Sequence, residues 1–151
     1  MLNKKRLAFY ALCCFITLLA SCASMQVKDN GADNRDLKTA VKKFWGHNIK
    51  GEFEQAYYYE NVFYTKKADK AFYVKTMAGA NILNKGFKLI KIGEEGSGPE
   101  GFTPVYIELE QKYLNPGFPV PDKFVAKFKD MWVKRDDGRW YHLRQKKNKY
   151  Y

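Results

Sequence analysis

The stretch DLKTAVKKFWGHNIKG, residues 36–51, decides between a chain that begins with helices and one built of strands alone. Leu37, Ala40, Val41, Phe44, Trp45 and Ile49 recur at helical spacing and make one apolar stripe. Asn34 or Asp36 can cap its start, and Gly51 suits the left-handed position that ends a helix. A lipocalin-like barrel would need strands here, so the stretch argues against it. A shorter helix is predicted in EFEQAYYY (52–59), with Phe53, Ala56 and Tyr57 on one side. A third fits KKADKAFYVKTMAG (66–79), stopped by Gly79.

After Gly86 the apolar period changes from 3.6 to 2. FKLIKIG (87–93) is a short β-rich run. TPVYIELEQKY (103–113) alternates, with Val105, Ile107, Leu109 and Tyr113 on one face and Tyr106, Glu108, Glu110 and Lys112 on the other. LNPGFPVP (114–121) holds three prolines and cannot be a central strand. KFVAKFKDMWVKR (123–135) reads as a long strand whose apolar parity shifts near Asp130, which suggests a bulge. DDG then turns tightly into RWYHLRQ (139–145), where the pattern leaves the facing of Trp140, Tyr141 and His142 undecided. Helices first and antiparallel strands after predict an α+β domain, with N-terminal helices packed on a strongly curved antiparallel sheet.

Upstream, Lys4, Lys5 and Arg6 precede LAFYALCCFITLLA (7–20), and no acid appears before Asp29. The apolar run is shorter than the roughly 20 residues that cross a bilayer, and a basic start before such a run describes a secretory signal. Its exit, Leu19-Ala20-Ser21-Cys22, resembles the lipobox of bacterial lipoproteins. The resemblance implies cleavage between Ser21 and Cys22 and lipid attachment to Cys22. Cys13 and Cys14 would leave with the signal, so the mature chain would hold no disulfide and stand on its core alone. The expected division is a signal at 1–21, a lipidated Cys and flexible tether at 22–35, and one domain at 36–151. Ala23 and Ser24 lack the Asp that resembles an inner-membrane retention signal. The expected location is therefore the cell membrane, and the periplasmic side of the outer one in an organism with two.

The chain carries 27 Lys plus Arg against 16 Asp plus Glu, a net charge of +11. Loss of Lys4, Lys5 and Arg6 with the signal leaves +8, which favours anionic lipid head groups or acidic cell-wall polymers. Nucleic acid is not an expected partner of an exported protein. Of the 151 residues, 25 are Phe, Tyr or Trp, densest in AYYYENVFY (56–64). The reading assigns most of them to a core with hydroxyls at its rim, and sugar stacking is the alternative.

The run AVKKFWGHNIKGEFEQAYYYENVFY (40–64) resembles the opening of the nuclear transport factor 2-like superfamily, and DMWVKRDDGRWYHL (130–143) resembles its last hairpin. The resemblance covers roughly residues 36–144 in element order. It implies a cone, a bent sheet wrapped around a long helix and often open at one end. Many members bind partners, some dimerise through the sheet, and some are isomerases, dehydratases or hydrolases. A pocket of this kind would be lined by Phe44, Tyr57, Leu109, Tyr113, Phe128 and Trp132, with Asp130 and His142 as its polar groups. An enzyme would need a polar dyad there, with Asp130 or His142 as base and Tyr57 as donor. Against that, Asp130 is read first as a bulge or a salt bridge to a neighbouring lysine, His47 as exposed, and Glu108 and Glu110 as paired with lysines across strands. Two separated His and one acylated Cys make no zinc site, and EEGSGPEG (94–101) is acidic and no phosphate loop. No cofactor or metal is expected. The favoured function is a non-catalytic, membrane-anchored binding module for an envelope protein, a cell-wall component or a small apolar ligand, with a homodimer through the sheet among its partnerships. The alternative is an isomerase- or dehydratase-type enzyme.

Overall fold

The computed structural model describes residues 34–144, apart from 115, 116, 118 and 120. The expected signal at 1–21, Cys22 and the expected tether as far as residue 33 lie outside the described residues.

Helix α1 (Leu37–Lys50) forms where its stripe predicts. The Asp36 carboxylate accepts the Thr39 amide at 2.8 Å, and that bond holds the carboxyl below its ordinary pKa. Gly51, at φ 75°, closes the other end by donating its amide to Asn48. Leu37, Ala40, Val41 and Phe44 are buried. Helix α2 (Phe53–Tyr57) follows, then a single turn, α3 (Asn61–Tyr64), within the aromatic run AYYYENVFY. Helix α4 (Lys70–Ala78) starts later than expected, because Asp69 caps it by accepting the Phe72 amide at 2.7 Å.

The strands β1 (Ile82–Ile92), β2 (Thr103–Tyr113), β3 (Phe124–Lys134) and β4 (Trp140–Leu143) form one antiparallel sheet in sequential order. Strand β1 starts before Gly86 because Ile82, Leu83 and Asn84 pair with Tyr113, Lys112 and Gln111. Gly86 marks a register shift inside the strand, where a Cβ would stand 3.3 Å from that of Glu110. The DDG hairpin is as expected, with Gly138 at φ 75° and Arg135 and Arg139 bonded through their backbones.

Two expectations are corrected. Strands β2 and β3 pair without a register shift from Thr103–Trp132 to Gln111–Phe124, so Asp130 sits in no bulge. The sheet, lacking that bend, is not strongly curled; both register shifts fall on the β1–β2 pair. Among the described residues the architecture is α+β, with four helices and a four-stranded antiparallel sheet.

Residues Val105, Ile107 and Leu109 of β2 meet Phe44, Val41, Tyr57 and Trp132 in one core between α1 and the sheet. Strand β4 is buried on both faces. Trp140 joins the core, while Tyr141 lies under Phe63 and Tyr64 of α3 and donates its hydroxyl to Asp137 at 2.6 Å. Arg135 ties α3 to the hairpin by donating Nε and Nη2 to the Asn61 side-chain oxygen at 3.0 and 2.8 Å. Asn34 is buried at the edge of β4, exchanging backbone and side-chain bonds with Trp140.

Candidate functional site

In β3, Phe128, Asp130 and Trp132 share one face with their cross-strand partners Ile107, Val105 and Thr103 of β2. Asp130 therefore points at the helices. His142 is registered against Trp132, one strand over and on the same face. The chain after α2 then passes along β4. The His142 amide donates to Tyr59 O at 2.7 Å, and Glu60 forms a parallel bridge with His142. Side chains paired in this way lie on one face, so Glu60 arrives beside the imidazole.

Three ionisable groups meet here inside an aromatic shell. Glu60 Oε2 is 3.3 Å from His142 Nδ1, and Asp130 Oδ1 is 3.7 Å from His142 Nε2. Trp45 donates Nε1–H to Asp130 Oδ2 at 2.9 Å, and Tyr73 donates its hydroxyl to Glu60 Oε1 at 3.3 Å. Phe44 stacks on the imidazole, with ring centroids 4.5 Å and planes 29° apart. The Glu60–His142 contact is an ion pair set off the hydrogen-bond axis, since neither atom finds a hydrogen-bond partner among the described residues. Side-chain exposures of 2% for Glu60, 10% for His142 and 12% for Asp130 show how little water reaches the group.

Burial by itself lowers the His142 pKa; the Glu60 charge and then the Asp130 charge overcome it and push it up to about 10. Both ring nitrogens face carboxylate oxygen, the arrangement that suits an imidazolium with two N–H donors. Tyr73, raised by burial and by Glu60, is held as a neutral donor. Paired with two carboxylates in this way, the ring is favoured in its charged form over the neutral one.

Of the residues singled out in the sequence, Asp130 and His142 come together. Tyr57 does not join them: it donates to Ala68 O at 2.7 Å, and burial raises its phenol pKa. Phe44, Tyr57, Leu109 and Trp132 pack in one core. Tyr113 stacks on Phe124, with centroids 4.9 Å apart, and Phe128 stays 40% exposed. His47 is half-buried and bonded to Glu52 at 2.7 Å. The reading of Asp130 as a bulge or a salt bridge to a neighbouring lysine is overturned, because an unbroken register carries it inward. Glu60 and Tyr73 were missed. A single carboxylate in the run AYYYENVFY was the available signal for Glu60.

The opposite face of the sheet carries a groove of 490 Å³ lined by Ile90, Lys91, Tyr106, Glu108, Lys127 and Lys129, with Ile107 and Phe128 also on its lining. Lys91 Nζ stands 5.4 Å from the centre of the Tyr106 ring. Glu108 is shared by Lys88 at 3.9 Å and Lys127 at 3.7 Å, and Glu110 pairs with Lys123 at 2.7 Å, the cross-strand pairing expected for both acids.

Among the described residues no group of three His, Cys, Asp or Glu is placed to hold a metal ion, and no helix is long and apolar enough to cross a membrane. Compared with known proteins, the chain matches no family model, no curated protein and no solved structure.

Proposed function

We propose that this chain is an exported lipoprotein, anchored through acylated Cys22, whose domain is a non-catalytic binding module of the cell envelope. The domain is read as an uncurled relative of the nuclear transport factor 2-like cone, on the strength of its element order and of α1 lying against the core face of the sheet. The observation that carries the non-catalytic reading is the closure of the Glu60–His142–Asp130 cluster. A general base at neutral pH needs a pKa near that pH and a route to substrate; His142 is held near 10 and enclosed by Phe44, Trp45 and Trp132. The groups that face water are the lysines and Tyr106 of the outer groove, which suit recognition of an anionic partner.

One observation favours the isomerase- or dehydratase-type alternative: Asp130 and His142 do converge, at 3.7 Å. A pH titration of the His142 ring by nuclear magnetic resonance separates the two readings. A ring that stays protonated past about pH 9 fits the ion cluster, whereas titration near about pH 6.5 would return the dyad to candidacy as acid and base.

A further inference from the structure

We propose that the outer face of the sheet, around the Tyr106 groove, docks on the anionic head groups of the membrane that holds Cys22. The inference rests on the lipid anchor proposed above. Strand register places Lys88, Lys91, Lys112, Lys127 and Lys129 on the face shared by Tyr106, Glu108 and Glu110, and Lys123 reaches it at Glu110. Six lysines thus face two glutamates. Lys88 and Lys127, 73% and 81% exposed, hold Glu108 only through long, water-exposed contacts that a lipid phosphate can replace.

Shape and apolar content suit the same occupant. The sheet is not strongly curled, so the lysine tips present a broad front to a planar surface. Between them stand Ile90, 47% exposed, and Val125, 65% exposed, with Tyr106 in the groove. Apolar and amphipathic side chains among lysines match the boundary between head groups and acyl chains. Geometry permits the contact. Asn34 lies at the edge of β4, about 10 Å from β2 at the usual strand spacing. The tether expected upstream spans about 20 Å if flexible. A second copy is the weaker occupant, because two such faces would bring lysine against lysine.

The test uses the full-length protein, purified from membranes in detergent and reconstituted into vesicles. One set is phosphatidylcholine alone, the other contains about one-third phosphatidylglycerol. Lysine acylation is read residue by residue by mass spectrometry. Lys88, Lys91 and Lys127 should react several-fold more slowly on the anionic vesicles, while Lys38 and Lys42 on α1 should not change. The protection should vanish in about 1 M salt, where screening acts within about 3 Å. The double variant Lys88→Glu, Lys127→Glu should lose the protection of Lys91 while keeping its circular dichroism. Flotation with phosphatidylcholine vesicles reports the anchor separately; should it fail, co-flotation with the anionic vesicles still reads the face. Equal lysine reactivity on both vesicles overturns the inference. So does protection by soluble poly(glycerol phosphate) alone, which assigns the face to an acidic polymer, or protection that grows with protein concentration without vesicles, which assigns it to a second copy.

Discussion

Replacing Glu60 by Gln tests the ion cluster with the least change of shape. The glutamine keeps the volume and can still accept the Tyr73 hydroxyl, but it removes the negative charge 3.3 Å from His142 Nδ1. Two charges at that distance interact by about 5 kcal/mol at an effective dielectric near 20. Removing one partner of a buried ion pair costs about 3–5 kcal/mol. With Asp130 still 3.7 Å away, we expect the lower end, about 3 kcal/mol near pH 6.5. The pH dependence is the sharper signature. His142 is raised from 6.5 to about 10 on folding, so its stabilising contribution is complete below about pH 6.5 and is lost as pH rises toward 10. The variant lacks the main source of that rise and has less to lose. Urea unfolding, followed by far-ultraviolet circular dichroism at about pH 6.5, 8 and 9.5, should show the gap between wild type and variant narrowing to roughly 1 kcal/mol at the alkaline end. A gap that holds constant across this range, or one below about 1 kcal/mol at pH 6.5, would refute the imidazolium cluster.

Two further outcomes are expected. Replacing Cys22 by Ala should leave a precursor that is neither cleaved after Ser21 nor labelled by a fatty-acid analogue; normal processing of that variant would dispose of the lipoprotein reading. Asp36→Ala removes the side-chain acceptor of the Thr39 amide and should cost about 1 kcal/mol in urea unfolding, while a change within about 0.3 kcal/mol would mean that solvent caps α1 equally well.

The elements that could be read from the sequence are those whose signals are local. The α1 stripe, its Asp36 cap and its Gly51 stop lie within one continuous stretch, and β2 alternates from Val105 to Gln111. The misread boundaries come from partners far along the chain. Gly86 has the composition of a break, yet Ile82–Asn84 extends the strand beyond it because the end of β2 is there to pair with. Trp140 and Tyr141 gave no alternation because both faces of β4 are covered, one by the core and the other by α3, a single helical turn too short to leave a periodic mark.

The candidate site turns on one step of the same kind. Phe128, Asp130 and Trp132 keep strict two-residue spacing, so the alternation itself puts Asp130 inward. An acid on an apolar face is expensive unless paired, and that cost made a bulge the simpler reading of the sequence. The pairing exists, but its members are drawn from α1, the turn after α2, β3 and β4, and only the assembled fold brings them within reach. The same argument bears on function. A carboxylate placed inward for catalysis has to leave room for substrate beside it, whereas here Trp45 occupies one oxygen of Asp130 and His142 lies against the other. On the non-catalytic reading proposed above, anionic recognition is sought on the lysine face of the sheet, and the interior acids are accounted for by their pairing with His142.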